Sequence, residues 1–161
     1  MSSLIEFRPG DIAGVAAKSL KRFTDQRGWL TEIFRHDELA TDLHPAMAYI
    51  SMTKPGIARG PHEHVEQTDL FAFVGPGVFQ IVLWDARPSS PTFGCRQEFI
   101  AGADAPLSLV VPPGVVHAYR NISQEPGLVF NVPNRLYAGP GRSQPVDEIR
   151  HEDRIDGQYT F

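Results

Sequence analysis

The chain has 161 residues, 42% of them hydrophobic and 21% charged, which is ordinary globular usage and excludes global disorder. A net charge of −4 leaves no basic stripe to neutralise a run of phosphates, which argues against nucleic acid as a partner. The single cysteine, Cys95, excludes an internal disulfide and a Cys-based zinc site, and it reads as a packed filler residue rather than a nucleophile. No basic segment leads into an apolar core at the N-terminus, and no apolar stretch nears the ~18 residues of a membrane span. The expectation is a cytoplasmic protein with no membrane partner.

This length fits one domain, 1–161, with an N-terminal arm over about 1–45, a core over about 46–135 and a C-terminal segment over about 136–161. Taken in order, residues 36–41 suit a helical turn. Residues 47–53 suit a strand that stops at Lys54-Pro55-Gly56. Strands follow over 70–74, stopped by Gly75-Pro76-Gly77, and over 78–84. Further short strands fall at 97–100, 107–111, 115–122 and 128–132, and residues 146–150 suit another helical turn. Short strands punctuated by Gly and Pro, 14 of each, predict an all-β jelly-roll barrel. Residues 78–84 are apolar on both parities, so both faces of that strand need cover. Phe79 and Trp84 are core candidates. The inner face belongs to the barrel, and the outer face predicts another sheet or a second subunit, hence a homodimer.

Two of the six histidines form His62-x-His64, and on a strand alternate residues share a face. Asp69 follows, and His117 lies farther on within P-P-G-V-V-H-A-Y-R-N. Gly56, then His62-x-His64, then Asp69 before L-F-A-F-V-G is similar to the first cupin motif, with Asp for the usual Glu. Pro112-x-Gly114-x-x-His117-x-x-x-Asn121 resembles the second. That resemblance implies a jelly roll in which His62, His64, Asp69 and His117 hold a divalent metal such as Zn, Fe, Mn or Ni.

A closer resemblance spans roughly residues 20–155. Asp25-Gln26-Arg27-Gly28-Trp29-Leu30-Thr31-Glu32, Pro55-Gly56-x-x-Arg59-Gly60-x-His62, Ser90-Pro91-Thr92-Phe93-Gly94, Pro112-x-Gly114-x-x-His117, Tyr137-Ala138 and Ile149-Arg150-x-x-Asp153 keep their order. Together they resemble the dTDP-4-dehydrorhamnose 3,5-epimerase family, metal-free cupins acting on nucleotide sugars. The resemblance implies His62 as base, Asp153 as the carboxylate that orients it and Tyr137 as acid, removing and returning a proton alpha to a 4-keto group. It implies Arg59 on the diphosphate, Arg27 and Glu32 on the nucleotide, and Trp29 stacked on a base, with His117 and Asn121 on substrate. No cofactor is then required, and a small-molecule 4-keto-6-deoxy sugar nucleotide is the partner.

Two departures stand out. The family has a lysine at Asp69 and usually a glutamine at His64, and a carboxylate there reverses the charge beside a developing oxyanion. The two changes restore the metal-type set, but a metal on His62 would remove it as base. Plainer readings stand beside these. The His62-x-His64 pair suits a structural role, Asp69 a turn or a pair with Arg59, and Gln67 a loop hydrogen bond or a ligand in its place. Tyr137 suits packing, Asp153 a solvated run with Glu152 as its rival, and Arg27 with Glu32 an exposed pair. His36, His44 and His151 read as structural. A metal-dependent cupin enzyme and a non-catalytic sugar-nucleotide binding module remain the alternatives.

Overall fold

In the computed structural model, which describes residues 4–154 and 156–161, the eight-residue run Val78–Asp85 is the central strand β8. Before it come β1 (Arg8–Pro9), β2 (Ala16–Ser19), β3 (Arg22–Asp25), β4 (Gly28–Thr31), β5 (Tyr49–Thr53), β6 (Ala58–Glu63) and β7 (Asp69–Phe73). After it come β9 (Cys95–Gly102), β10 (Leu107–Val111), β11 (Val115–Asn121), β12 (Gly127–Asn131) and β13 (Ile149–Arg150). One sheet runs β1-β9-β8-β11-β6-β13, the second β2-β10-β7-β12-β5, and β3 and β4 form a separate hairpin.

Two stacked sheets are the expected jelly roll, and the predicted strands of the core form. The two predicted helical turns do not form as helix. Residues 36–38 make a plain turn, a short 3₁₀ turn comes later at Thr41–Leu43, and residues 149–150 pair as β13 on the edge of β6. The sheets reach beyond 46–135, because β1 and β2 from the arm and β13 from the C-terminal segment all pair with core strands. Among the described residues no helix is long and apolar enough to cross a membrane.

Side-chain alternation on β8 explains its double apolarity. Phe79, Ile81 and Leu83 point between the sheets, where they join Phe71, Phe73, Leu109, Val111, Val115, Tyr119 and Val129. Val82 and Trp84 point outward with Val116 and Ala118 of β11. Within the chain, that outer face is covered by side chains from its two ends rather than by another sheet. Phe7, Tyr159 and Phe161, from the two ends of the same chain, lie over it, with the Trp84 and Tyr159 ring centroids 5.6 Å apart. Burying one such large side chain is worth about 1.5–3 kcal/mol.

The turn after β7 needs glycine for two reasons. Gly77 has φ +87°, and a Cβ there would lie 2.5 Å from the α-carbon of Gly127. The corner after β8 is held by the fully buried Asp85. Its carboxylate accepts from Arg87 Nε and Nη2 at 2.8 and 2.9 Å, and from the hydroxyls of Ser90 and Thr92 at 2.6 Å each. Burial acts to raise the Asp85 pKa, and those four donors hold it below the usual carboxylate range. The Ser90-Pro91-Thr92-Phe93-Gly94 stretch is thus a corner lock.

Candidate functional site

Strand pairing sets the site. β6 and β11 run antiparallel, and His62 stands opposite His117, with a register shift between His117 and Tyr119. Gly60 makes this approach possible: φ is +80°, and a Cβ would lie 2.5 Å from the His117 carbonyl oxygen and 3.1 Å from His62 Nδ1. The His62 and His117 ring centroids are 4.3 Å apart, and those of His62 and His64 5.5 Å. Asp69 comes from the other sheet, at the start of β7, and its side chain is 1% exposed. His62, His64, Asp69 and His117 each offer a donor atom within 4.8 Å of all the others, so imidazoles from distant parts of the chain converge between the sheets.

The protons in this cluster follow from its partners. His117 Nδ1 lies 3.0 Å from the carbonyl of Val115, and His64 Nδ1 contacts the carbonyl of Asp147. A carbonyl only accepts, so both Nδ1 atoms carry a hydrogen. Asp69 Oδ1 accepts from Gln67 Nε2 and Asn131 Nδ2, each at 2.9 Å. Asp69 Oδ2 lies 3.2 Å from His64 Nε2 and 3.3 Å from His117 Nε2. Even so, Asp69 Oδ2 and His117 Nε2 are buried without a hydrogen-bond partner among the described residues.

Electrostatics separate the histidines. Burial and the neighbouring imidazoles push the His62 pKa down to about 2, so that ring is neutral. Burial also opposes charge on His64, but the Asp69 carboxylate and the Asp147 carbonyl outweigh it and raise that ring to about 9. Burial alone would raise Asp69, and His117 and His64 hold it well below the usual carboxylate range. The carboxylate is therefore spent on its neighbours rather than presented bare to the cleft.

An open cleft of about 1250 Å³ begins at this cluster. His62, His64 and Gln67 line it, together with Tyr137, Arg59 and Glu152. Arg59 donates from Nε to Thr53 Oγ1 at 3.0 Å and from Nη2 to the Met52 carbonyl at 2.8 Å, which fixes its guanidinium on the wall. Tyr137 is 51% exposed, with its N–H 3.3 Å from Met47 Sδ.

Several candidates sit elsewhere. Asn121 is fully buried, and its amide bonds the carbonyls of Thr53 and Glu125 while its oxygen accepts from Ser123. It closes a turn, so the substrate-binding expectation for it is corrected. Asp153 is exposed and does not line the cleft, whereas its rival Glu152 does. Arg27 and Trp29 lie on the β3–β4 hairpin, where Arg27 pairs with Asp25, and Glu32 follows it beside Arg35. None of the three lines the cleft of its own chain. His36 and His44 stack on each other at 4.0 Å, and His151 lies 2.9 Å from Glu63 Oε1.

Tyr49 and Asp147 were missed by sequence reasoning. The Tyr49 hydroxyl accepts from Asn131 Nδ2 at 2.7 Å, and burial with the Asp69 charge pushes its pKa up to about 12, so it keeps its proton at the cleft wall. The Asp147 carboxylate accepts from the backbone N–H groups of Val65, Glu66 and Gln67 at 2.7, 2.9 and 2.8 Å. One residue therefore ties the loop between β6 and β7 and orients His64. Only the pairing of 65–67 with a residue some eighty positions away reveals this, and no local motif signals it. Asp147→Ala is expected to cost about 1–3 kcal/mol and to speed hydrogen exchange at the amides of 65–67. Unchanged exchange there would show that the carboxylate does not hold the loop.

Comparisons with known proteins agree with this geometry. The family model described as "dTDP-4-dehydrorhamnose 3,5-epimerase" matches residues 9–150. The "Probable low-salt glycan biosynthesis epimerase Agl13" of Haloferax volcanii is 37% identical over 129 residues, covering 79% of this chain and 81% of that protein. Among solved structures, a dTDP sugar isomerase from Desulfovibrio desulfuricans G20 superposes with TM-score 0.77 at 24% identity, covering 89% of this chain and 87% of that one. NovW from Streptomyces spheroides, a 4-keto-6-deoxy sugar epimerase, superposes with TM-score 0.76 at 22% identity, covering 98% of this chain and 78% of that one. Both likenesses establish the shared fold.

Proposed function

This chain belongs to the dTDP-4-dehydrorhamnose 3,5-epimerase family, and from that premise we propose that it epimerises a 4-keto-6-deoxy sugar nucleotide. The observation that carries the reading is His62, a neutral imidazole paired across strands with His117 and lining the same cleft as Tyr137. A neutral ring can take a proton from the carbon beside a ketone, and the resulting enolate spreads its charge onto the carbonyl oxygen. Tyr137 then returns a proton to the opposite face and inverts the centre. Its own proton replaces the one His62 took, so the enzyme recovers by exchange with water. Arg59, fixed on the wall by β5, suits a diphosphate.

The family lysine is absent, yet Asp69 does not leave a bare negative charge at that position. His64 and His117 flank its Oδ2, and Gln67 and Asn131 cover its Oδ1. Of the two neighbouring carboxylates weighed for the orienting part, Glu152 lines the cleft and Asp153 does not, which favours Glu152 for that part.

The test is solvent exchange. With a dTDP-4-keto-6-deoxy sugar in deuterated water, NMR is expected to show deuterium entering at a carbon flanking the ketone. Binding without exchange above a no-enzyme control would overturn the epimerase reading and leave a sugar-nucleotide binding module.

The same reading includes a homodimer. Phe23, Trp29 and Leu30 on the hairpin are 49%, 48% and 62% exposed, and the edge strand β5 exposes Ile50 and Met52. Because Arg27 and Trp29 stand outside their own cleft, a second copy is the setting in which they would reach a nucleotide. Light scattering is expected to give twice the 17.9 kDa chain mass, and a monomeric mass would exclude that role.

A further inference from the structure

Strand β5 presents a rank of hydroxyls to the cleft. Tyr49, Ser51 and Thr53 alternate with the exposed Ile50 and Met52, so the three share the inward face. Thr53 anchors Arg59, and Ser51 Oγ lies 2.9 Å from the Tyr119 hydroxyl. Tyr49 is the member tied to the histidine cluster. It stands opposite Asn131 of β12, the strand between β5 and β7. Asn131 is buried, and its Nδ2 spends one hydrogen on the Tyr49 hydroxyl at 2.7 Å and the other on Asp69 Oδ1 at 2.9 Å. The hydroxyl accepts from Asn131, and its own hydrogen has no acceptor among the described residues. Tyr49 lines the same cleft as His62.

The other donors at the inner end of this cleft are consumed. Gln67 Nε2 donates to Asp69 Oδ1, and His64 and His117 turn their Nδ1 hydrogens to backbone carbonyls. The charge of His64 is directed at Asp69 Oδ2, 3.2 Å from its Nε2. Arg59 spends two N–H groups on β5 itself. Yet proton removal beside a ketone creates a demand for a donor. The C–H electron pair becomes a carbon–carbon double bond, the carbonyl π pair moves onto oxygen, and that oxygen is stabilised by a hydrogen bond aimed at it. A phenol that keeps its hydrogen can supply one. Burial and the Asp69 charge, one amide away, hold Tyr49 in its protonated form.

We propose that the Tyr49 hydroxyl, steadied by Asn131, donates the hydrogen bond that stabilises the enolate oxygen of the substrate. No proton leaves Tyr49. The proton taken from carbon goes to His62, and the one that restores the carbon comes from Tyr137. The inference rests on the epimerase reading, and its two measurements let each fail separately.

The first measurement is deuterium incorporation into a dTDP-4-keto-6-deoxy sugar. Tyr49→Phe keeps the ring, sits on an edge strand and removes only the hydroxyl. It is expected to slow incorporation about 10²–10³-fold, the usual worth of one donor to an oxyanion. The loss should fall on kcat, with dTDP binding unchanged. Ser51→Ala, two residues along the same face, is expected to lose far less. The second measurement needs no turnover. With the sugar isotopically labelled at its ketone carbon, the NMR resonance of the bound carbonyl is expected downfield of the free ketone in the wild type and back towards it in Tyr49→Phe, because the hydrogen bond polarises the carbonyl. Tyr49→Phe incorporating deuterium at the wild-type rate, with or without inversion, would overturn the proposal. So would a loss in Ser51→Ala equal to that in Tyr49→Phe, or a wild-type carbonyl resonance that binding does not move. A wild type that shifts the carbonyl but exchanges no deuterium would overturn the epimerase reading alone and leave Tyr49 as the group that holds the ketone. A wild type that does not bind the sugar would overturn both.

Discussion

His62→Ala is expected to slow deuterium incorporation into the keto sugar by about 10²–10⁴-fold, the usual worth of a positioned acid or base. Nucleotide binding is expected to hold, because Arg59 is anchored on β5 independently of the ring. The loss should therefore fall on kcat rather than on KM. Neutrality carries a second consequence. An ordinary imidazole gains its proton as pH falls through about 6.5. His62 is depressed to about 2 by burial and by its imidazole neighbours, so it stays unprotonated far below that pH. The acid limb of kcat/KM should then lie below the histidine range, and activity should persist at pH 5. A limb centred near 6.5 that vanishes in His62→Ala would show the ring is less shielded than its position implies. A His62→Ala enzyme exchanging at the wild-type rate would remove His62 as base.

Asp85→Ala is expected to be the most damaging change outside the site. The carboxylate is fully buried and takes two bonds from Arg87 and one from each of two hydroxyls. Removing it strands a guanidinium that also donates to the carbonyl of Ala13 at 2.8 Å, so the arm carrying β2 loosens with the corner. Breaking such a pair costs about 3–5 kcal/mol. In a chain of this length that is a fall in Tm of about 10 °C or more. The pH dependence has a definite sign. Asp85 is held below the usual carboxylate range, so its contribution is complete above about pH 4 and is lost as pH falls through its lower folded value. The variant should show a shallower loss of stability on acidification. Equal melting temperatures at neutral pH would mean that the corner holds without its carboxylate.

Both residues show how far local pattern reaches. His62-x-His64, Asp69 and the Pro112–His117 stretch were legible because metal-type and epimerase-type cupins place those residues at readable spacings. Ser90-Pro91-Thr92 was legible as a recurring stretch, but its purpose was not. The acceptor of its hydroxyls, Asp85, lies on the preceding strand, and only the folded corner brings them within 2.6 Å. Asn121 shows the opposite error. It matches a motif position, yet its amide is consumed by backbone groups of Thr53, Ser123 and Glu125, partners that no motif specifies.

Strands β5 and β7–β12 were determined by the sequence, because β-branched and aromatic runs bounded by Gly and Pro have few other conformations available, whereas β1–β4, β6 and β13 were set by pairing that no local pattern signalled. Which face each strand covers followed from period-two alternation. What covered the outer face of β8 did not follow, because Phe7, Tyr159 and Phe161 reach it from opposite ends of the chain. The state of each histidine was likewise decided only by tertiary structure. Whether an imidazole is neutral, charged or ready to take an ion depends on which lone pairs and carbonyls lie within about 3 Å of it. For His62, His64 and His117 those neighbours come from both sheets and from the Asp147 segment, and chain order alone does not encode distances of that kind.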